Sequence, residues 1–328
     1  MLKVICLLHI CLFMWYERTT FATPNETNVL LLKLEFMKTL NEQVNEIVNG
    51  KGSKAVKKAS LIKLGLTSFE IDSIILSAAK AKKAGKKFDA SSLTFGVEIE
   101  CYNVLRSDLI SHVRQRSISI ESEGYNHNDN ERYYKIVSDA SIHGANGQEV
   151  VSPILKGENG MNSLKMVCDS LVAVGARVNK STGLHIHFDA SSISDEHFIN
   201  IFRNYQAIES VIDSFMPMSR RENNNGYCRS LVGLRYGDCQ TKRDIINLNG
   251  TRYRKVNAES YLRHKTIEFR QHSGTIEYKK ISNWILFLRE LINYSEKNEI
   301  QSCTRIEDLP FLTDQQKEYF INRRAALN

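Results

Sequence analysis

Three stretches of this chain alternate polar and apolar residues with a period of two, and the remaining pattern is arranged around them. In the stretch 182–189, an extended backbone puts His185, His187 and Asp189 on one face and Leu184, Ile186 and Phe188 on the other. The stretch Phe95 to Cys101 does the same with Glu98 and Glu100 opposite Phe95, Val97 and Ile99. The stretch Thr266 to His272 sets Glu268 and Arg270 opposite Ile267 and Phe269. Each reads as a strand with one face for packing and one for chemistry.

Between these stretches the period changes to that of helices. Apolar positions predict helices over 28–48, 68–83, 105–116, a segment ending at Gly175 that carries Leu164, Val167 and Leu171, a long helix from Asp195 to Phe215 capped by Ser194, and 281–294. Tyr133 to Val137 and Gln148 to Pro153 read as a hairpin with Glu149 near its start, and Tyr253 to Tyr261 as a further strand. Residues 121–132 read as a polar loop, and 219–251, rich in Arg, Asn and Gly, as a long loop and candidate lid. Strands and helices mix without a regular βαβ rhythm. That favours an α+β fold over a doubly wound sheet.

Charge changes this picture only at the N-terminal side. The formal charge is +7, but ten lysines in residues 51–87 against Glu70 and Asp72 leave that segment at +8 and the rest at −1. The segment lacks interleaved aromatics and arginine clusters, so a solvated helix face and tether is favoured over nucleic-acid contact. Expected divisions are 1–22, an apolar N-terminal segment; 23–90, helical and lysine-rich; and 91–328, the domain of the three strands. Residues 1–22 carry a signal-like apolar run too short to span a bilayer as a mature helix. Export, a buried segment and a start set upstream of Met14 or Met37 are the open readings of that run. Seven cysteines without CxxC spacing point to reduced thiols rather than a disulfide framework.

Two carboxylates at i and i+2 on one strand face stand roughly 7 Å apart and repel unless a cation lies between them. Mg2+ takes hard oxygen ligands and suits such a pair. A His-x-His strand can ligate metal or donate to phosphate, and an arginine beside a carboxylate can bind phosphate oxygens through two N–H groups. Any one of these patterns occurs on ordinary half-exposed strands. Their co-occurrence on three strands, with Glu149 as a further acid, points to one polar wall.

The ordered set of Phe95 to Glu100, Asp139 with Ser141, Gly147 to Pro153, Gly183 to Asp189, Ser219 to Arg221, Tyr253 to Asn257, Thr266 to Arg270 and Gly274 with Thr275 resembles the amidoligase family. That family belongs to the carboxylate–amine ligases with the glutamine synthetase-like fold. The resemblance runs from about Thr94 to Tyr294. It implies a curved, mainly antiparallel sheet with helices on its outer face, and ATP with Mg2+ or Mn2+ on the inner face. It also implies roles: Glu98, Glu100, Glu149, His185 and Glu268 as metal ligands, His187 beside the phosphates, and Arg270 neutralising the transferred phosphoryl group. Arg220 and Arg221 become candidate phosphate or carboxylate contacts. Arg270, Glu149 and His187 would carry the catalysis.

The implied activity is ATP-dependent joining of an amino-acid or peptide carboxylate to an amine through an acyl phosphate. A second acid beside Glu149 is not identifiable from the pattern, and water, Asp139 or Asp189 could serve. Two other classes remain: a metal-dependent phosphohydrolase on the same acids and histidines, and a binding protein acting through the basic N-terminal helices. An ATP-using enzyme is expected in the cytoplasm, and export is the alternative if residues 1–22 are cleaved. No Walker A or Rossmann glycine set and no Gly-x-Ser-x-Gly elbow occurs.

Overall fold

The computed structural model describes residues 53–64, 92–124, 126 and 132–327, together with 43, 44, 46, 47 and 71. By contacts the chain divides into two compact units, Met1–Lys87 and Phe88–Asn328. In the first, Lys54–Lys63 forms helix α1, with the Ser53 hydroxyl capping its start by accepting from the Val56 amide. Residues 43, 44, 46 and 47 are helical. The expected apolar segment 1–22, most of the helix over 28–48, and the helix over 68–83 apart from residue 71 lie outside the described residues. No described helix is long and apolar enough to cross a membrane.

The second unit is built on one sheet. Its strands are β1 (Thr94–Cys101), β2 (Ile120–Ser122), β3 (Tyr134–Val137), β4 (Gln148–Val151), β5 (Leu155–Lys156), β6 (Leu184–Asp189), β7 (Val256–Asn257) and β8 (Thr266–Phe269). They run in the order β2-β3-β4-β1-β6-β8-β7, with β5 also paired to β1. All pairs are antiparallel except β2 with β3. The three alternating stretches are therefore β1, β6 and β8, side by side at the centre.

Their apolar residues share one side. Phe95, Val97 and Ile99 of β1, Leu184, Ile186 and Phe188 of β6, and Ile267 and Phe269 of β8 are buried in a single hydrophobic cluster. Helices supply the other half of that cluster. Arg106–Arg114 (α2) buries Leu109 and Val113, and Gly157–Ala173 (α3) buries Leu164, Val167 and Leu171. Asp195–Ala207 (α4) buries Phe198, Ile201, Phe202 and Tyr205, with the Tyr205 ring 5.8 Å from that of Phe269. The mixed α+β architecture with a mostly antiparallel sheet is as the sequence leads one to expect.

Several local expectations are corrected. The long helix after Ser194 breaks at Ile208, and a separate helix, α5, runs over Glu209–Ser214. Beyond the break Glu209 and Asp213 stand one turn apart and both face the buried Lys255 ammonium, at 2.8 and 2.6 Å. The stretch 219–251 is not one loop. It contains helix α6 (Lys242–Asn249), started by a Thr241–Asp244 capping box and ended by Gly250 at φ +61°. The expected strand over 253–261 shrinks to β7 and gives way to helix α7 (Ser260–His264). The expected polar loop over 121–132 begins inside β2. Helix α8 (Tyr278–Tyr294) matches expectation, whereas the last helix, α9 (Asp314–Ala325), was not read from the pattern. It docks through Phe320, whose ring lies 4.6 Å from that of Phe215.

Candidate active site

Strand register fixes which polar residues meet. Across β1, Glu98 pairs with Val151 on one side and His185 on the other, and Glu100 pairs with Glu149. Across β6, His187 pairs with Gly96 and with Glu268, and Glu268 in turn pairs with Asn257. Directly opposed residues point to the same face, so acids and imidazoles from four strands form one wall opposite the hydrocarbon core. Glu98, Glu100, Glu149, His185 and His187 of that wall line a cavity of about 750 Å3.

The side chains converge. His185 Nδ1 lies 2.9 Å from Glu98 Oε2 and 3.6 Å from Glu268 Oε1, and its Nε2 lies 3.6 Å from Glu100 Oε1. His187 Nε2 lies 3.2 Å from Glu98 Oε1 and 3.9 Å from Glu268 Oε1. Three sets of donor atoms fall within 4.8 Å of one another: Glu98 with Glu149 and His185, Glu98 with His187 and Glu268, and Glu100 with Asp139 and Glu149. Five of the expected ligands are thus brought together. Glu268 gathers with His187, and His185 with Glu149. Asp139 is the acid beside Glu149 that the alternating pattern could not single out. It sits on the turn after β3, where its Oδ1 accepts the Ser141 amide at 2.7 Å.

A second layer of hydrogen bonds orients these groups. The Thr266 hydroxyl at 3.0 Å and the Ser260 hydroxyl at 3.3 Å engage His187 Nδ1, so Nε2 is the nitrogen that faces the acids. Asn257 Nδ2 donates to Glu268 Oε2 at 2.6 Å, and the Gly183 amide donates to Glu100 Oε2 at 2.6 Å. Each of these two carboxylates keeps its Oε1 toward the imidazoles. Metal-binding histidines and carboxylates are commonly held in this way by outer partners.

The electrostatics follow from burial and neighbours. Burial pushes the Glu98 carboxyl up, but the imidazoles of His187 and His185 outweigh it and hold Glu98 well below the ordinary carboxylate range. For Glu268 burial is likewise outweighed, here first by Arg270 and then by the two histidines, and its pKa falls. His187 is raised, because Glu98 and Glu268 overcome the effect of its burial. Glu149 is pushed well above its ordinary value by burial and by the negative charges of Glu98, Glu100 and Asp139. The wall therefore has a surplus of negative charge at the Glu149 end, which a cation would relieve.

Arginines border the wall. Arg270 Nη1 donates to Glu268 Oε1, and its Nε donates to the Tyr227 carbonyl at 3.3 Å. Arg220 is buried at the cavity edge, with Nη2 donating to the Thr182 carbonyl at 2.5 Å and Nε finding no acceptor among the described residues. Arg221 is not brought to the cavity; its Nε donates to the Met216 carbonyl at 2.7 Å. The alternating pattern does not single out Asn257, Thr266 or Ser260 as site residues: cross-strand register places the first two, and Ser260 arrives at the start of α7.

Residues 91–292 match the family model described as "Putative amidoligase enzyme". That match covers more than half of the chain, which belongs to the amidoligase family. No curated protein matches the chain. Among solved structures, the chain is similar to the crystal structure of a bifunctional glutathione synthetase from Pasteurella multocida. The TM-score is 0.37 and the identity 13%, over 76% of this chain and 42% of that one. The chain thus spans less than half of that protein.

Proposed function

We propose that this protein is an ATP-dependent carboxylate–amine ligase that makes an amide or peptide bond on an amino acid or peptide through an acyl phosphate, on a glutamine synthetase-like sheet. The observation that carries the reading is the single wall on which Glu98, Glu100, Asp139, Glu149, His185, His187 and Glu268 meet beside Arg270. The residues fit divalent metal: the donors are hard oxygens and imidazole nitrogens, they lie within 4.8 Å of one another in threes, and Glu149 is left repelled by its neighbours. Glu98, Glu100, Asp139, Glu149, His185, His187 and Glu268 would hold Mg2+ or Mn2+. When bound, the ion supplies charge neutralisation for phosphoryl oxygens.

A carboxylate is a poor electrophile, so activation comes first. The acceptor carboxylate attacks the γ-phosphorus of ATP, the bond to the β–γ bridging oxygen breaks, and ADP leaves. The guanidinium of Arg270, held rigidly between Glu268 and the Tyr227 carbonyl, offsets charge on the transferred group. The amine then attacks the acyl carbon, phosphate departs, and a carboxylate takes the proton lost from the nitrogen. Glu149, which lines the cavity from β4 across β1 from Arg270, is assigned that last task. Arg220, buried with a free Nε, is suited to hold a substrate carboxylate. A cytoplasmic setting, where ATP is available, goes with this reading.

The test is to incubate the full chain with ATP, Mg2+ and mixed pools of amino acids and peptides, and to follow products by mass spectrometry. The expected products are ADP, phosphate and a new amide, each requiring both a carboxylate and an amine. Phosphate release that ignores added amine would instead favour the phosphohydrolase.

A further inference from the structure

We propose that Gly96 is the floor over which the phosphate chain of a nucleoside triphosphate passes, and that the missing side chain there fits the cavity to that ligand. The inference rests on the ligase reading above and concerns a residue that takes no part in the cation groups.

A glycine inside a strand weakens it, because the flexible backbone loses more entropy on folding and no side chain packs. Such a glycine needs a reason, and the fold offers none at Gly96. Its φ lies outside the left-handed region, so an L-residue is accommodated by the backbone. A Cβ built there would meet only the His187 Cβ at 3.7 Å and the Ser152 Oγ at 4.0 Å, which are ordinary contacts. Gly183 and Gly274 behave differently. At Gly274 a Cβ would fall 2.1 Å from the Thr182 Oγ1, and at Gly183 it would fall 2.9 Å from the His185 Nε2. Those two are dictated by close approach of neighbouring groups. Gly96 is not.

The reason that remains is the cavity. Gly96 stands on the polar face of β1, opposite His187 and two residues before Glu98, and it lines the cavity floor. A glycine where backbone is needed close to a ligand is a recurrent use of the residue. The surroundings name the ligand class. On one side of Gly96 lies the Glu98–His187–Glu268 group, suited to a divalent cation. On the other, toward the strand ends, the cavity is lined by Thr94, His264, Lys265 and Thr266, which offer hydroxyls and basic groups, and by Asp189, whose Oδ1 accepts the Ser191 amide. A chain of phosphates needs both: a cation at one end and donors along its length. The acids Glu100, Asp139 and Glu149 lie past Glu98 in the opposite direction along β1, so the substrate carboxylate and amine are assigned to that side.

The experiment compares the parent with Gly96→Ala and Gly96→Val in the full chain. Calorimetry with Mg2+ measures binding of a non-hydrolysable ATP analogue and of inorganic tripolyphosphate, and thermal melting measures stability. Expected are unchanged or slightly raised melting temperatures, with affinity for both ligands falling stepwise with side-chain size, by about tenfold or more for valine. The KM for ATP rises in parallel while the KM for the amine stays put. Parent-like affinity in Gly96→Val overturns the proposal, as does loss of the nucleotide with tripolyphosphate retained. A valine variant that no longer folds also overturns it, since the fold would then supply the reason for glycine. A parent that binds neither ligand sinks the ligase reading itself, which is a distinct result.

Discussion

Replacing Glu149 by glutamine removes one negative charge from the wall while keeping the side chain's shape, and it separates a cation site from a merely structural cluster. Glu149 shares one donor set with Glu98 and another with Glu100 and Asp139, each within 4.8 Å. At an effective dielectric constant of about 20, one such pair of charges repels by roughly 3.5 kcal/mol, an upper bound that partial protonation reduces. A net relief of about 1–3 kcal/mol is expected at pH 8 without metal. The sign can be checked through pH. The Glu149 carboxyl is raised in the folded state, so the native protein binds its proton more tightly than the unfolded chain does. Metal-free wild type therefore loses stability as pH rises from the unfolded value toward the raised folded one, and Glu149→Gln does not.

Metal reverses the order. An ion that binds only the native state at a hundred times its dissociation constant stabilises by about 2.7 kcal/mol. Differential scanning fluorimetry in EDTA at pH 8 should show Glu149→Gln melting above wild type by roughly 3–10 °C, on a scale of about 2–4 °C per kcal/mol. In millimolar Mg2+ wild type should gain most of that back or overtake, while the variant gains little. The reasoning fails if Glu149→Gln melts lower in EDTA and Mg2+ shifts both proteins equally.

Three further outcomes are expected. Burial, helped by the nearby Arg323 charge, pushes the His272 imidazole down to about 3, so the native state refuses a proton that the unfolded chain accepts below about 6.5. Stability should fall by about 2 kcal/mol between pH 6.5 and 5 from this group alone, and urea titrations of His272→Phe against wild type should show a flatter acid limb. Lys255→Met strands the Glu209 and Asp213 carboxylates in the core and should cost about 3–5 kcal/mol, whereas adding Glu209→Gln and Asp213→Asn should restore much of it in chemical denaturation. Gly274→Ala forces a Cβ into Thr182, whose carbonyl receives Arg220, and should cost about 1–3 kcal/mol together with a loss of amide formation.

The central strands were legible because their two faces differ in kind. A core of Phe95, Val97 and Ile99 tolerates no slip in register, since shifting by one residue would bury Glu98 and Glu100 in hydrocarbon. The same logic made His185, His187 and Glu268 visible as wall residues. It had no hold on Asp139, which lies on a turn, or on Asn257, whose strand is two residues long. Composition also misled at 219–251. An Arg, Asn and Gly bias reads as loop, yet Ile245 and Ile246 are enough to seat α6 once both its ends are capped. Neighbouring arginines differ for an equally local reason: Arg220 ends a 3-10 turn with its side chain inward, and one step on, Arg221 leaves the cavity.

The break at Ile208 shows why the remainder could not be read from periodicity. Apolar spacing continues across it, through Ile212 to Phe215, and nothing in that spacing demands two helices. What lies beneath is polar. Lys255 Nζ engages Glu209 and Asp213, whose second oxygens accept the amides of Leu231 and Glu222 at 2.8 Å each. Gln271, itself receiving the Tyr205 hydroxyl, donates to Asp213 and to the Arg220 carbonyl, and the Lys255 carbonyl receives the Arg270 amide. Both arginines that border the wall are thus tied through their backbones to one buried cluster, assembled from segments up to 66 residues apart, between Tyr205 and Gln271. Every polar group in such a cluster must find its partner or destabilise the fold. Its members therefore constrain one another across the chain, which a window of neighbouring residues cannot register.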